Sequence, residues 1–321
     1  MKALILAAGM GSRLAPFTDV LPKPLVPFFG IPSLVYAIDK CISDGLDICI
    51  NTHHLPTHIE DFVNTHYKNA GIHLSFEKEL LGTGGAVANI RDWLAGDSLL
   101  IYNADIISDC SLAELIKTHE KRGKVATMTM IDHIADSTPV YNLDQEVVQV
   151  GGPDNAPEGA LAHSFSGIHI LSPDFIKALP ESHFFSVIDT YRDFIRDNSY
   201  PAVYEHNGFW ADIGTPSALW KAHSDVIGDS TKIGSLRIKD LREQLSKDPL
   251  VFDQSNGSAY TRRAIDQSGP IQISQSFVET RQPIQNSQLE RCLVVDTDAD
   301  RLGQWDVLRD VVVMGSRLRG F

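Results

Sequence analysis

The feature that most constrains this chain is a short apolar segment that runs directly into a loop rich in glycine and proline. Residues Ala3 to Ala8 are all apolar, as a strand covered on both faces of a sheet requires. In the signature loop, residues 9–27, Gly9 and Gly11 let the backbone turn sharply and bring N–H groups close to phosphate oxygens. We therefore predict a buried first strand that opens into a phosphate-binding loop.

Two isolated cations in the signature loop, Arg13 and Lys23, suit the same chemistry. Arginine offers a planar, permanently charged fork to phosphate oxygens, and lysine offers a compact charge on a flexible stem. Pro22 and Pro24 flank Lys23 and hold it on a stiff, extended segment. The loop has neither the third glycine of the dinucleotide fingerprint nor a GxxxxGK[ST] motif. Surface charges after an ordinary turn are the alternative.

The whole segment LAAGMGSRLAPFTDVLPKPLVP resembles the N-terminal signature of the sugar-1-phosphate nucleotidylyltransferases, in which Gly-x-Gly-Ser/Thr-Arg-Leu is followed by Pro-Lys-Pro-Leu/Met. The resemblance implies an enzyme that joins a nucleoside triphosphate to a sugar 1-phosphate, giving a nucleotide-sugar and pyrophosphate. It implies that Arg13 and Lys23 are catalytic residues that hold phosphates. The nucleotide-binding residues that it implies are Ala8, Gly9, Gly11, Ser12, Glu77, Gly82 and Thr83.

Apolar strands alternate with amphipathic helices after the signature loop. Helical spacing over 31–44 is followed by a strand pattern over 46–51, and this alternation predicts an α/β fold with a Rossmann-like, mostly parallel sheet. We predict a nucleotidyltransferase domain over 1–228, a linker with a short helix over 229–248, and a small β-rich C-terminal domain over 249–321. Residues 287–295 resemble one rung of a left-handed β-helix, so a degenerate β-helix is one form for the last domain.

A second glycine-rich stretch, Gly82 to Gly85, stands where a helix that continues through Trp93 is predicted to begin. In the resembled family an element of this kind contacts the nucleobase, which implies base-binding roles for Gly82 and Thr83. Glu77 stands where the family has a polar residue that reads the base edge. A carboxylate accepts from uracil or from guanine, so it does not choose between them. A solvent-exposed charge at a strand end is the alternative for Glu77.

Two carboxylates are candidate ligands of Mg²⁺, the expected cofactor. Asp105 follows a predicted strand at its carboxyl end, where ligands bind in open α/β sheets. Asp212 lies in FWADIGTP, which resembles the family's Trp-x-Asp-Ile/Val-Gly-Thr-Pro, although such an aspartate could also be a helix cap or turn residue. Magnesium prefers one or two carboxylates together with phosphate and water. Ala104 departs from the glycine that the family usually has.

The family's Glu-Lys-Pro element, whose lysine holds the sugar phosphate, is missing from residues 150–159. The run from Phe165 to Ile168 resembles most closely the N-acetylmuramate-1-phosphate uridylyltransferase branch, which serves cell-wall synthesis and has an arginine in a later helix. This resemblance implies sugar-phosphate-binding roles for Ser166, Gly167 and Arg192. A surface charge on a helix is the alternative for Arg192.

The composition limits the kinds of molecule that we expect this protein to bind. The 321 residues carry a formal net charge of −13, which argues against a nucleic acid or an anionic membrane surface as a partner. The four cysteines form no CxxC pair, and no apolar run approaches about 18 residues, so we expect a cytoplasmic protein. The expected partners are a nucleoside triphosphate and a sugar 1-phosphate, and a homo-oligomer is left open.

Three functions follow from these patterns. A UTP-dependent enzyme is favoured by the resemblance to the uridylyltransferase branch. A GTP-dependent mannose- or heptose-1-phosphate guanylyltransferase is the alternative within the same class. A regulatory subunit that binds a nucleotide-sugar without catalysis is a third reading, because the Glu-Lys-Pro lysine is missing and Ala104 is unusual.

Overall fold

The computed structural model describes residues 1–134, 137–151, 156–181, 184–261, 264, 272–280, 288–297, 307–314 and 317–320. The chain divides into two compact units, each built from segments that are distant in sequence. The first unit contains Met1–Gly9 and Ala37–Trp210, and the second contains Met10–Tyr36 and Ala211–Phe321. All of the signature loop except Gly9 therefore belongs to the same unit as the C-terminal part of the chain.

The helices and strands alternate through the first two thirds of the chain, and strands dominate the last third. The helices are α1 Ser33–Ser43, α2 Pro56–His66, α3 Gly82–Asn89, α4 Arg91–Leu94, α5 Leu112–Arg122, α6 Pro173–Ala178, α7 Val187–Arg196, α8 Pro216–Ile227, α9 Ser230–Ser235 and α10 Ile238–Gln244. Short 3-10 helices in the signature loop cover Ser12–Leu14, Phe17–Asp19 and Lys23–Leu25.

The strands are β1 Lys2–Leu6, β2 Pro27–Phe28, β3 Ile31–Pro32, β4 Asp47–Thr52, β5 His73–Phe76, β6 Leu99–Asn103, β7 Ile106–Ser108, β8 Ala126–Ile131, β9 Pro139–Leu143, β10 Glu146–Val150, β11 Leu161–Leu171, β12 Ala202–Glu205, β13 Trp210–Asp212, β14 Leu250–Asp253, β15 Ser258–Thr261, β16 Gln272–Ser274, β17 Phe277–Thr280, β18 Gln288–Thr297, β19 Val307–Met314 and β20 Arg317–Gly320.

The first unit is built on one large sheet with the strand order β5-β4-β1-β6-β11-β8-β12-β10-β9. Strand β1 pairs in parallel with β4 and with β6, and β4 pairs in parallel with β5. Strand β11 runs antiparallel to β6, β8 and β9. The predicted α/β class is confirmed, and β11 makes the sheet mixed.

The apolar run at the N-terminus is the centre of this sheet. Ala3, Leu4 and Ile5 have no exposed surface, because strands lie on both sides of β1 and other elements cover its faces. The parallel register places Leu6 opposite Asn51 on β4 and opposite Asn103 on β6. Two polar side chains therefore flank the point at which β1 gives way to Ala7.

Helices start and end close to the predicted positions because short capping signals set their ends. The Ser111 hydroxyl accepts from the Glu114 N–H at 3.2 Å before α5, and Gly123 ends this helix with a φ of 58°. Thr215 caps α8 in the same way, and Pro216 occupies its first turn. The helix predicted to continue from Gly82 through Trp93 is instead divided into α3 and α4 at Ile90.

The second unit contains a sheet with the order β14-β15-β17-β18-β19-β20, with β16 also pairing with β18. The inner strands stack in parallel, so that Phe277 pairs with Leu293 and Leu293 with Val312. These three side chains are almost completely buried, as the layers of a coiled β domain require. A degenerate left-handed β-helix stays a prediction for this domain. The predicted rung begins at Ser287, which lies outside the described residues.

The predicted linker over 229–248 contains two helices, α9 and α10, rather than only one short helix. Asp229 begins α9 by accepting from the Thr231 N–H at 3.0 Å. Among the described residues, no helix has the length and apolar character needed to cross a bilayer. All four cysteines are buried and free, and burial raises the pKa of Cys41, Cys49 and Cys110 to about 12.

His223 in α8 is a buried histidine whose two nitrogens both have fixed partners. Its Nε2 accepts from the Phe29 N–H at 2.9 Å, and its Nδ1 lies 2.8 Å from the Leu219 carbonyl oxygen. Burial lowers the pKa of His223 to about 3, whereas an unfolded histidine titrates near about 6.5. The unfolded state therefore binds more protons between these two values, and folding is destabilised as the pH falls below about 6.5.

We predict that His223→Gln reduces the pH dependence of stability. The wild-type free energy of unfolding should fall by about 1 kcal/mol more than that of the variant between pH 6.5 and 5.5. Urea unfolding at these two pH values measures the difference. The exposed His58 provides the control His58→Gln, which should keep the wild-type pH dependence. Equal pH dependence of His223→Gln and the wild type would contradict the prediction.

Candidate functional site

The signature loop is held in its turn by a close contact that only glycine permits. Gly11 has a φ of +65°, and a Cβ there would lie 2.8 Å from the Thr18 methyl carbon and 3.0 Å from the Lys23 Cβ. The Thr18 hydroxyl donates to the Gly11 carbonyl oxygen at 2.8 Å. The chain therefore folds back on itself, and Arg13 and Lys23 come from the first and the third of the three short 3-10 helices.

This turn brings three of the predicted site residues together in the second unit. The Arg13 Nη2 atom lies 3.7 Å from the Asp212 Oδ2 atom. A Cβ on Gly214 would lie 2.7 Å from Arg13 Nη2, 2.7 Å from Asp212 Oδ1 and 2.9 Å from Lys23 Nζ. We call Arg13, Lys23, Asp212 and Gly214 the charge cluster. Two cations and one carboxylate thus lie around Gly214, where the backbone carries no side chain.

The charge cluster is open to solvent and contributes little to stability. The Arg13 side chain is 63% exposed and the Asp212 side chain 39% exposed, and ion pairs of this kind are worth little in water. The other Asp212 oxygen, Oδ1, accepts from the Gly214 N–H at 2.7 Å, which fixes the carboxylate. The cluster keeps a net positive charge and exposed donors, as an anion-binding site needs.

Glu77 in the first unit is buried, not solvent-exposed as its alternative reading has it. It is 2% exposed; its Oε1 accepts from the Asn51 amide at 2.7 Å and its Oε2 from the Leu81 N–H at 3.1 Å. Asn51 in turn accepts from the Ala7 N–H at 2.7 Å. Glu77 and Asn51 therefore connect the end of β1 to the segment before α3.

Gly82 and Thr83 contact the segment that precedes α7. Gly82 has a φ of +70°, and a Cβ there would lie 2.5 Å from the Phe185 carbonyl oxygen. The Gly84 N–H donates to the same oxygen at 3.1 Å, and the Thr83 hydroxyl accepts from the Val187 N–H at 3.0 Å. In this structure the close approach that the glycines permit is made by Phe185.

Ser166 and Gly167 form an irregularity in β11. Gly167 has a φ of +79°, and a Cβ there would lie 2.7 Å from the Asn103 amide nitrogen. The Ser166 side chain is buried and accepts from the Ile168 N–H at 3.1 Å. The Trp210 indole N–H donates to the Ser166 carbonyl oxygen at 2.8 Å. The tryptophan of the FWADIGTP motif thus supports the backbone of this strand.

Arg192 in α7 is partly exposed and contacts the loop in which the family's lysine is missing. Its Nε donates to the Val150 carbonyl oxygen at 3.0 Å, and its Nη1 donates to Asp189 at 3.1 Å. A Cβ on Gly151 would lie 2.9 Å from Arg192 Nη2. Residues 152–155, the centre of this loop, lie outside the described residues. A sugar-phosphate role for Arg192 stays a prediction.

Asp105 lies in the turn between β6 and β7 and is partly exposed. Ala104 before it is buried, donates its N–H to the Leu6 carbonyl oxygen at 3.0 Å, and is not among the residues with a positive φ. An alanine therefore fits here without backbone strain. No group of three or more histidine, cysteine or acidic side chains among the described residues could by itself hold a metal ion.

Several residues that shape these sites have no obvious sequence signal. Phe185 fills the space beside Gly82 and Gly84. Nothing in the sequence marks this loop phenylalanine as one that makes such a contact. Asn51 is different, because a polar residue at the carboxyl end of a buried parallel strand next to β1 lies where ligands usually bind. That position could have identified it.

Comparisons with known proteins agree with the fold. The model of the family described as nucleotidyl transferase matches residues 2–228. The chain belongs to this family. Every site residue predicted from the sequence lies within the matched range.

Two relatives indicate the kind of nucleotidyl transferase to which the chain is similar. The mannose-1-phosphate guanylyltransferase catalytic subunit beta of Xenopus tropicalis is 30% identical in an alignment of 235 positions that covers 67% of this chain and 62% of that protein. The UTP–glucose-1-phosphate uridylyltransferase of Synechocystis sp. is 27% identical in an alignment of 251 positions that covers 72% of this chain and 65% of that protein. The chain thus spans less than two thirds of the length of these relatives.

A solved structure supports the fold alone. The UDP-glucose pyrophosphorylase from Acinetobacter baumanii matches 76% of this chain and 99% of its own with a TM-score of 0.59 at 18% identity. By their names, these nucleotidyl transferases use mannose 1-phosphate or glucose compounds. These relatives support the family but not the narrower resemblance to the N-acetylmuramate-1-phosphate uridylyltransferase branch. The short motif around Ser166 was too little sequence to distinguish the branches.

We predict that Gly214→Ala weakens phosphate binding without unfolding the protein. The added methyl group would displace the charged ends of three side chains rather than backbone, so the affinity for pyrophosphate should fall on the order of tenfold. Thermal midpoints should differ by less than about 4 °C. Isothermal titration calorimetry measures the affinity.

Gly234→Ala is the matched control, because a Cβ on Gly234 would meet no described atom within 4 Å. This variant should bind pyrophosphate as the wild type does. If Gly214→Ala also kept the wild-type affinity, the charge cluster would not be the phosphate site.

Proposed function

We propose that this nucleotidyl transferase joins GTP and mannose 1-phosphate to give a guanosine diphosphate sugar and pyrophosphate. The observation that supports the reaction class is the charge cluster, in which Arg13 and Lys23 lie beside the fixed Asp212 carboxylate. Mannose-1-phosphate guanylyltransferases also occur more often among the relatives than glucose-1-phosphate uridylyltransferases do. The alternative derived from the sequence is thus better supported than the UTP reading.

The proposed reaction is a direct displacement. An oxygen of the sugar 1-phosphate forms a bond to the α-phosphorus of the nucleoside triphosphate, and the bond from that phosphorus to the oxygen leading to the β-phosphorus breaks. Pyrophosphate leaves with the electron pair. Because the nucleophile is already an anion, no general base has to remove a proton, and catalysis depends on alignment and on charge neutralisation.

Arg13 and Lys23 are assigned to different phosphates because their side chains differ in chemistry. We assign Arg13 to the departing β- and γ-phosphates, because its guanidinium can hold two oxygens at once. We assign Lys23 to the α-phosphate or the sugar phosphate, where a single compact charge suffices. Bare N–H groups in the signature loop, from Gly9 to Ser12, complete the phosphate contacts in this proposal.

Magnesium is the cofactor that the donor set fits. Asp212 presents a partly exposed carboxylate whose Oδ1 is already fixed by the Gly214 N–H. Asp105 presents a partly exposed carboxylate in a strand-end turn. One or two carboxylates completed by phosphate and water are a typical magnesium set, and we propose each of the two residues as a ligand on the chemistry of its own carboxylate. When bound, the ion would neutralise phosphate charge.

The nucleobase preference rests on groups other than the Glu77 carboxylate. Both Glu77 oxygens already accept from the protein, and the residue is almost completely buried. We propose that Glu77 supports the base site by holding Asn51 and the Leu81 N–H rather than by reading the base edge. UTP remains the second candidate, because the Synechocystis relative is named a UTP-dependent enzyme.

We predict that the purified protein releases pyrophosphate from GTP in the presence of mannose 1-phosphate and Mg²⁺. A coupled phosphate assay with GTP, UTP, dTTP, ATP and CTP against mannose, glucose and N-acetylmuramate 1-phosphates measures the preference. The highest kcat/KM is expected for GTP with mannose 1-phosphate. Highest activity with UTP would replace the proposal with its second candidate, and nucleotide-sugar binding without turnover would support the regulatory reading.

We predict that the two carboxylates are each required for turnover. Asp212→Asn and Asp105→Asn should each lower kcat by on the order of 10² or more, with thermal midpoints close to that of the wild type. Asp225 is a matched control in α8, because its side chain is 41% exposed and pairs with Lys221. Asp225→Asn should retain the wild-type rate, and a similar rate for Asp212→Asn at saturating Mg²⁺ would overturn its assignment.

A further inference from the structure

Strand β20 carries two arginines on the face that contacts the signature loop. Side chains two residues apart in a strand point to the same side of the sheet, so Arg317 and Arg319 share a face and Leu318 points to the other. The Arg319 Nη1 atom donates to the Arg13 carbonyl oxygen at 2.7 Å and also to the Ala15 carbonyl oxygen. Arg317 lies 3.7 Å from the Asp19 carboxylate.

These contacts fall on the backbone groups that a short helix leaves without partners. In the 3-10 helix Ser12–Leu14, the Leu14 N–H donates to Gly11 and the Ala15 N–H donates to Ser12, at 2.8 and 3.2 Å. The carbonyl groups at the end of a helix have no helical donor. Arg319 supplies such a donor to the carbonyl oxygen of Arg13, whose guanidinium belongs to the charge cluster.

The C-terminal sheet holds β20 firmly enough for this role. Val312 and Val313 of β19 pair with Arg319 and Leu318, and both valines are buried. Strand β19 pairs in turn with β18 over most of its length. The guanidinium of Arg319 is thus fixed on a packed sheet, while the loop that it contacts has little regular structure of its own.

We propose that Arg319 is a positioning residue for nucleotidyl transfer, which fixes the direction of the Arg13 side chain through the carbonyl groups of Arg13 and Ala15. This inference rests on the proposed function and gives the β-rich C-terminal part a role in it. A misplaced Arg13 would hold the β- and γ-phosphates less well. The nucleoside triphosphate should be affected much more than the sugar 1-phosphate.

Steady-state kinetics of Arg319→Ala test the proposal. Its kcat/KM for the nucleoside triphosphate should fall on the order of tenfold, whereas its KM for the sugar 1-phosphate should change by less than about twofold. Arg319→Lys keeps a charged donor and should recover most of the loss. Arg309→Ala removes an arginine on β19 that is 65% exposed and pairs with Glu290, and it should match the wild type.

Hydrogen exchange provides a readout that does not need turnover. The amides of residues 12–16 should exchange faster in Arg319→Ala than in the wild type or in Arg309→Ala. If the wild type catalyses no reaction, the proposed function fails, and exchange alone then decides whether Arg319 positions the loop. Unchanged exchange in Arg319→Ala, unchanged nucleotide kinetics, or an equal loss in Arg309→Ala would each overturn the proposal.

Discussion

The second unit depends on one buried arginine. Arg242 of α10 is 2% exposed, and its guanidinium donates to the Phe29 carbonyl oxygen at 2.6 Å and to Glu279 at 3.0 and 3.2 Å. Its Nε donates to the Asp248 carbonyl oxygen at 2.9 Å. A buried charge of this kind is tolerated only when it is paired and its donors are satisfied. Arg242 therefore fixes three segments that are far apart in sequence.

Arg242 also holds the residues that directly follow the signature loop. Phe29 is held at its carbonyl oxygen by Arg242 and at its N–H by His223. Gly30 has a φ of +70°, and a Cβ there would overlap the Glu279 carboxylate. The loop is thus fixed beyond Lys23 by Arg242 and near Arg13 by Arg319. The proposed phosphate site would need cations at set distances, and contacts at both ends of this irregular segment would hold them there.

Much of the fold and part of the charge cluster could be predicted from the sequence because the signals are local. The apolar run before Gly9 predicts β1, and the fixed spacing of short motifs identifies Arg13, Lys23 and Asp212. Arg319 could not be predicted, since its partner Arg13 is 306 residues away and no periodicity connects them. The burial of Glu77 depends on the Asn51 side chain of another strand. Neither contact produces a pattern that can be recognised in a single amino-acid sequence.

In the proposed reaction an oxygen of the sugar phosphate becomes bonded to the α-phosphorus of the nucleotide, and pyrophosphate leaves. Mannose 1-phosphate labelled with oxygen-18 in its phosphoryl oxygens, mixed with GTP and followed by phosphorus NMR, tests this claim. We expect label in the β-phosphate of the nucleotide-sugar and in its bridge to the α-phosphorus, with unlabelled pyrophosphate. Label in pyrophosphate, or release of pyrophosphate without a labelled nucleotide-sugar, would contradict it.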